Sequence, residues 1–549
     1  NILISCSSFL HETNGNWDKI YKDFTVEFSP YNKMFYSGKK YFAEINMIFL
    51  TDIIDHFDNS KKNIIDSKKK INHLIKLIKK NVKKKTNIII GFSYYFLDDY
   101  ILNLKKKNFF SELIQFFEDT LYKLAKEHRN LFVLDMDKIF AFHGYSKCFS
   151  QRNYYLINCR LSEEGLNFVT EELSKILKKI TLPLKKVLIL DCDNTIWGGV
   201  LGEDGIDKIQ IGQDGIGKAF RDFQKTAKNL KKNGILIVLA SKNEKKDVIN
   251  VVKNHKSMVL KDEDIASYKI NWEEKSQNIK KLSNELMLGL DSFVFWDDNP
   301  IERNKVRSKL PTVKVIEPNK DVSEWPKQLS EYIDFLNFNL LKDDSKKTLQ
   351  YKQRDQFLEK KKIYEDERKF LKSIKVKIEI EKINKSNIDR AVQLSNKTNQ
   401  FNFTTNRFDH KELYQKNKNG FIFLVKLKDI YGDHGKISLI TSKTHNNYLI
   451  VDTFLLSCRI LGRYVENYLI NHLRKLAISK KLKGTIILFK KTEKNMPALN
   501  FINSIVGFKK LDTHQLRKLN ISKKIYEKQS YSMYYLGNKE KIINADLYV

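Results

Sequence analysis

The chain has 549 residues, with 99 Lys and Arg against 66 Asp and Glu and a formal net charge of +33. One hydrophobic core rarely serves more than about 250–300 residues, so several domains are expected. No run of about 18 apolar residues is available to span a membrane. The lysines are spread along the chain, as in Lys68–Lys70 and Lys360–Lys362, and no paired RNP segments or zinc-finger spacing accompany them. The charge therefore reads as compositional bias rather than as a nucleic-acid site, and it would equally favour an acidic partner or a phosphorylated substrate. The five cysteines lie far apart with no CxxC pair, which suggests a reducing cytoplasm and neither a disulfide framework nor a zinc site.

Residues 1–180 alternate short apolar strands with helical stretches. The chain opens on a strand-like Asn1-Ile-Leu-Ile-Ser5, not on a signal peptide. Strands are predicted near 2–5, 24–28, 46–50, 87–91 and 131–135, and a helix over 109–127, where Phe109, Leu113, Phe116, Phe117, Leu121 and Leu124 recur at helical spacing. The pattern implies a three-layer α/β domain. Asp135-Met-Asp137 ends the last of these strands and reads as two solvated acids. The region resembles the SGNH-hydrolase-like domain that precedes a phosphatase domain in one family, most clearly at Phe24–Asn32. Ser7 and Ser8 follow the first strand without the Gly-Asp lead of SGNH hydrolases, and Arg160-Leu-Ser-Glu-Glu-Gly165 lacks their histidine. A serine without an oriented base is a weak nucleophile, so this domain is expected to be non-hydrolytic.

Pro183 marks the entrance to a second domain, 184–340. Val187-Leu-Ile-Leu190 reads as a fully buried strand of a parallel sheet, followed by Asp191-Cys192-Asp193. At the carboxyl end of such a strand, side chains enter the crevice where open α/β sheets bind ligands. Alternation puts Asp191 and Asp193 on one side and Cys192 on the other, towards the core. Two carboxylates that close repel each other; they are either solvated or neutralised by a hard cation such as Mg²⁺. Ile235–Ser241 is a second strand, ending in a hydroxyl. Lys275 stands where a helix begins, and Ser292–Pro300 is a third strand ending in Asp297 and Asp298.

In order and spacing these residues resemble the haloacid dehalogenase (HAD) superfamily, with its Rossmann-like parallel sheet. Asp191-Cys-Asp193-Asn-Thr195 matches its first motif, Ser241 the second, Lys275 the third and Asp297-Asp298 the fourth. The resemblance implies that Asp191 attacks phosphorus and that Asp193 acts as acid and base. It implies that Asp191, Asp193 through its carbonyl, Asp297 and Asp298 form the Mg²⁺ site. Thr195, Gly198, Gly199, Ser241, Lys242, Asn243 and Lys275 would bind the phosphoryl group. The short stretch between Thr195 and Ser241 leaves room only for a small cap, such as a hairpin over 197–215, which suits a substrate carried on another protein. Trp197-Gly-Gly-Val-Leu-Gly-Glu-Asp-Gly205 narrows the resemblance to the FkbH-like, HAD subfamily IIIC family. Members dephosphorylate 1,3-bisphosphoglycerate and transfer a glyceryl unit to an acyl carrier protein. Trp296 reads as a core aromatic under the acidic loop.

Residues 341–372 read as a charged helical connector, with Lys360–Lys362 on a solvated face. In the third domain, 373–549, strands are predicted at Lys375–Ile380, Phe421–Val425, Ile437–Ile440 and Tyr448–Leu455, then a helix after Gly462. This order, with Asn500–Phe508, resembles the α+β GCN5-type N-acetyltransferase (GNAT) fold. That family cradles a CoA pyrophosphate in a glycine loop at a helix start. Here the loop runs from Arg459 through Gly462 to Tyr464, and Tyr464 stands where a small residue is expected. Ordinary acetyl-CoA binding is therefore not expected, whereas a phosphopantetheine arm would need less of the cradle. Cys458, in Ser457-Cys-Arg459, matches an SCR element of the FkbH-like family; it either carries an acyl group or is a small buried hydrophobe. Three readings remain open: glyceryl or acyl transfer to a carrier thiol, a plain HAD phosphatase, and a GNAT-type acyltransferase with the HAD domain as scaffold.

Overall fold

The computed structural model describes residues 1–8, 10, 17–30, 33–35, 40–55, 58, 60–83, 86–95, 110–128, 130–182, 184–336, 342–518 and 531–548. Tyr31, Asn32, Phe109 and Pro183 lie outside the described residues. Contacts divide the chain into two units, Asn1–Pro183 and Leu184–Val549.

The first unit holds β1 (Ile2–Cys6), β2 (Val26–Phe28), β3 (Ala43–Phe49), β4 (Asn87–Ser93) and β5 (Leu131–Asp135). They form one parallel sheet in the order β2-β1-β3-β4-β5. The strands are apolar almost throughout because both faces are covered. Ile45 and Met47 pack towards the helix Glu163–Thr181, while Ile88 and Ile90 pack towards the helices Lys61–Asn81 and Ser111–Glu127. Phe116, placed on the helix core face by its spacing, is exposed. Ser7 donates to Asp52 at 2.8 Å, and the other oxygen of Asp52 pairs with Arg160 at 2.7 Å. Ser8 donates to the Asn158 carbonyl at 2.8 Å.

The second unit carries two sheets. The first has β6 (Val187–Leu190), β7 (Leu236–Ser241), β8 (Ile265–Ile270), β9 (Phe293–Trp296) and β10 (Lys314–Val315). All run parallel, in the order β10-β9-β6-β7-β8. The chain leaves β6 to one side for β7 and β8 and returns to its other side for β9, so a crevice opens at the carboxyl ends of β6 and β9. Alternation fixes the layers. Leu188, Leu190 and Cys192 join Phe220, Phe223 and Trp296 on one face; Val187 and Ile189 join Ile279 and Leu282 on the other. Burying each such side chain stabilises the sheet by about 1.5–3 kcal/mol. Trp296 is fully buried, its ring 4.8 Å from Phe223 and 5.7 Å from Trp325.

The segment after Asp193 is a small flap. It is not a regular hairpin: one helical turn, Leu201–Asp204, is tied by an isolated bridge between Gly198 and Gln210. Gly199 needs its glycine, because its φ is +92° and a Cβ would stand 2.6 Å from an Asp204 oxygen.

The connector helix Lys347–Ile363 buries Thr348, Tyr351 and Phe357. Lys361 is not on a solvated face: its Nζ pairs with Glu367 at 2.5 Å and donates to the Gly462 carbonyl at 3.2 Å. The last sheet holds β11 (Lys377–Lys382), β12 (Phe421–Asp429), β13 (Gly432–His445), β14 (Tyr448–Leu456), β15 (Gly484–Phe489), β16 (Phe508–Lys510) and β17 (Ser532–Gly537). Its order is β11-β12-β13-β14-β15-β17-β16, and only β14 and β15 pair in parallel. The loop 457–464 leads from β14 into the helix Val465–Ser479, and the helix Met496–Ser504 comes after β15. This succession of strands, loop and helix is the one on which the GNAT resemblance rests. Among the described residues, no helix is long and apolar enough to cross a membrane.

Candidate active site

Four backbone elements aim their ends at one point. Asp191 lies one residue past β6, Ser241 is the last residue of β7, Lys275 is the first residue of the helix Lys275–Leu286, and Asp297 lies one residue past β9. The Asp191 amide donates to the Trp296 carbonyl at 3.1 Å, extending the β6–β9 ladder to the strand ends. Lys275 Nζ stands 2.9 Å from Asp191 Oδ1 and 2.5 Å from Asp297 Oδ2, and all three side chains are more than nine-tenths buried. Burial alone would lower the lysine pKa, but the charges of Asp191 and Asp297 outweigh it and hold the ammonium above its usual range. Asp297 is pushed up to about 7, first by burial and then by the charge of Asp191, against the pull of Lys275. Asp298 is raised for the same two reasons.

Asp191, Asp297 and Asp298 each offer a carboxylate oxygen, all within 4.8 Å of one another. Three carboxylates and one ammonium leave two negative charges. Asp191 Oδ1 is buried without an aligned hydrogen bond, although Lys275 is near. Hard oxygen donors and a surplus charge of two suit one small divalent cation. The Asp193 carboxylate is not in this group. Its Oδ1 accepts from Trp197 Nε1 and from the Leu201 amide, both at 3.0 Å, and its Oδ2 accepts from Asn243 Nδ2 at 2.7 Å. It thus ties the flap to the strand end.

The remaining candidates divide into supports and distant residues. Thr195 is fully buried and shares a 3.3 Å hydrogen bond with Asp298, so it positions the acid rather than facing a ligand. Gly198 and Gly199 shape the flap: a Cβ on Gly198 would meet the Phe220 ring at 2.7 Å. Lys242 pairs with Glu302 at 3.0 Å, and Asn243 reaches Ser241 Oγ at 3.4 Å besides Asp193. Cys192 is fully buried, and burial, then the charges of Asp191 and Asp193, pushes its thiol well above the ordinary range. Sequence reasoning missed Arg303. Its guanidinium donates to the carbonyls of Asp297 at 2.8 Å and Asp298 at 2.6 Å, and pairs with Glu317. The only signal was its place four residues after Asn299, the cap of the helix Pro300–Lys309.

Cys458, Arg459 and Gly462 are not part of this site. Cys458 and Arg459 line a cavity with Lys186, Leu236 and Ser292, which stand at the amino ends of β6, β7 and β9. Five residue steps along β6 separate Lys186 from Asp191, about 16 Å of extended chain. Gly462 is packed under Lys361 of the connector helix, so the loop meets a lysine of its own chain where the GNAT family has its pyrophosphate cradle. Tyr464 is left-handed at φ +56° and precedes the helix Val465–Ser479.

A crystal structure described as the N-terminal part of the protein BF1531 from Bacteroides fragilis, containing a phosphatase domain complexed with Mg, is similar to this chain. The identity is 27%, the alignment covers 60% of this chain and 92% of that one, and the TM-score is 0.52. The central domain is HAD-like. The chain is an enzyme, and its HAD-like sheet carries the carboxylate cluster at the carboxyl ends of β6 and β9. Other solved structures align over about 30% of the chain, two of them as follows. Rv2747 from Mycobacterium tuberculosis, in complex with CoA and NLQ, has 14% identity over 29% of this chain and 98% of that one, with a TM-score of 0.22. A GNAT-family acetyltransferase from Staphylococcus aureus Mu50 has 13% identity over 30% of this chain and 100% of that one, with a TM-score of 0.23. No protein-family model and no curated protein matches the chain.

Proposed function

We propose that the chain is a Mg²⁺-dependent phosphatase acting through Asp191. The observation that carries this reading is the Lys275 ammonium between Asp191 and Asp297, with Asp298 completing an oxygen cluster, at the crevice of a HAD-like sheet. Asp191, Asp297 and Asp298 would hold the ion, which when bound neutralises charge on the phosphoryl oxygens. Asp191 would attack phosphorus in line, forming a bond from its carboxylate oxygen as the bond to the leaving oxygen breaks. Asp193 would give its proton to that oxygen and then take one from the water that hydrolyses the aspartyl-phosphate. Ser241 and Lys275 would bind the phosphoryl oxygens, and Arg303 keeps the Asp297-Asp298 backbone in place. A flap as small as this one suits a large or tethered substrate.

Within this reading, the FkbH-like resemblance favours 1,3-bisphosphoglycerate: Asp191 would remove its ester phosphate, and its acyl carbon would pass to the phosphopantetheine thiol of an acyl carrier protein in the cytoplasm, the carbon–sulfur bond forming as the acyl phosphate leaves as inorganic phosphate. Cys458, in its own cavity, is the observation on that side. The separation along β6 means that an acyl group could not pass from a substrate at Asp191 to Cys458 in one step. Phosphate release from acetyl phosphate and p-nitrophenyl phosphate, with and without Mg²⁺, tests the phosphatase reading. Intact-protein mass spectrometry on Cys458→Ser tests the acyl step. Mg²⁺-independent release, unchanged in Asp191→Asn, would overturn the first; an acyl adduct surviving Cys458→Ser would remove that thiol.

A further inference from the structure

The cavity at the amino edge of the HAD-like sheet has a volume of about 390 Å³. Its walls come from three parts of the second unit: the HAD-like sheet at the starts of β6, β7 and β9, the connector helix, and the third domain through the helix Ile388–Lys397 and the segments after it, after β14 and after β15. That is within the usual size of a small-molecule site. Its charge is one-sided. Lys186, Lys347, Arg390, Lys397, Arg459 and Lys494 line it, against Asp291 and Glu493. Asp291 pairs with Lys494, and Glu493 is exposed. Behind the wall, Asp344 pairs with Lys347 at 2.9 Å and with Lys397 at 3.3 Å.

Two of the cations have no acid at ion-pair distance among the described residues. Arg459 is 8% exposed, and its one hydrogen bond runs from Nε to Ser457 Oγ at 3.1 Å. Lys186 Nζ has only the Lys397 carbonyl, at 3.5 Å. A buried guanidinium is costly to leave unpaired, so a cavity that holds one invites an anion. Burial lowers the pKa of Lys186 and of Lys397, and burial followed by the Lys397 charge brings Lys347 down to about 7. An entering anion would reverse that pressure on all three.

We propose that this cavity is a second ligand site, separate from the carboxylate cluster, for a small organic anion bearing a phosphate or a carboxylate. Arg459 binds the anionic group through its free guanidinium edge, and Lys186 closes on it from the start of β6. Because the walls belong to the HAD-like sheet, the connector and the third domain together, an occupied cavity links the three. The site stands whether or not Asp191 is a nucleophile.

Cys458 reports occupancy, because it lines the cavity and the other four cysteines are buried. The rate of its alkylation by iodoacetamide is followed by peptide mass spectrometry on the full chain without Mg²⁺. Inorganic pyrophosphate and citrate are the two probes, and calorimetry is run beside them. At least one probe should slow alkylation and release or absorb heat. Arg459→Gln and Lys186→Gln, checked for native melting, should each weaken its apparent affinity by roughly tenfold, as expected for a charge-assisted hydrogen bond. Asp191→Asn should leave protection intact. Protection by pyrophosphate alone assigns the site to phosphates, and by citrate alone to carboxylates. No heat and no protection with either probe would overturn the proposal. So would equal protection in both cavity variants, or protection lost in Asp191→Asn.

Discussion

Asp135-Met136-Asp137 and Asp191-Cys192-Asp193 each come at the carboxyl end of a parallel strand, and each sits in its own unit of the chain. Their surroundings set them apart. Asp135 accepts from the amides of Asp137 and Lys138 and caps the helix Met136–His143. Asp137 accepts from Ser93 Oγ at 2.9 Å and from the Tyr94 amide at 2.7 Å, buried and without a cation among those partners. Asp191 instead meets Lys275 and two further carboxylates carried by other strand and helix ends. The three-residue pattern is the same; the difference lies in what later parts of the chain bring to it. Asp137, with neutral donors, and Asp135, with two amides and the Lys138 ammonium at 3.0 Å, are structural groups; an acid in a cluster with surplus negative charge is suited to a cation and a phosphoryl group.

The largest expected effect separates the two motifs by activity. Asp191→Asn should lower phosphate release by at least roughly a thousandfold, since removing a nucleophile stops the chemical step, whereas Asp137→Asn should leave it within a small factor. Equal losses in the two variants would erase the distinction. Next comes the buried lysine. Lys275→Met should destabilise the metal-free chain by about 3–5 kcal/mol, because it strands two buried carboxylates, and Mg²⁺ should restore part of that. Urea unfolding with and without Mg²⁺ measures both; a variant as stable as the parent would show the pairing to be idle.

The pH dependence of Asp137 is the third test. Burial, opposed by its two hydrogen bonds, raises its folded pKa to about 7 from an ordinary 3.8. The folded state therefore holds a proton that the unfolded chain releases. The stabilisation is full below pH 4 and is lost as pH rises towards 7. Asp137→Asn should remove this slope and gain roughly 2–4 kcal/mol relative to the parent between pH 5 and pH 8. Melting curves of both chains across that range would show parallel lines if the assignment were mistaken. The smallest effect is at the flap: Trp197→Phe deletes one donor to Asp193 and should lower kcat by about tenfold or less, leaving KM nearly unchanged.

What could be read from the sequence divides along the same line. Val187–Leu190, Leu236–Ser241 and Phe293–Trp296 are buried on both faces, so an unbroken apolar run announces each strand and the polar residue that ends it marks the rim. Lys275 was legible because it opens a helix. Arg303 was not, since its partners are backbone carbonyls that any residues would supply. The flap was misjudged as a hairpin because Gly198 and Gly199 signal a turn but leave open whether a strand or a helical turn comes after it. Cys458 could be placed beside a loop but not beside Lys186, since which edge of the HAD-like sheet the third domain covers is decided by tertiary packing. Lys361 looked solvated for the same reason.

The most direct test is to trap the covalent step. Full-length protein with Mg²⁺ is mixed with ³²P-labelled acetyl phosphate, quenched in acid and digested with trypsin. A hydroxylamine-sensitive label on the peptide from Val187 to Lys208 is the predicted result. An enzyme that turns over under the same conditions yet carries no label there, or carries it on another peptide, would contradict it.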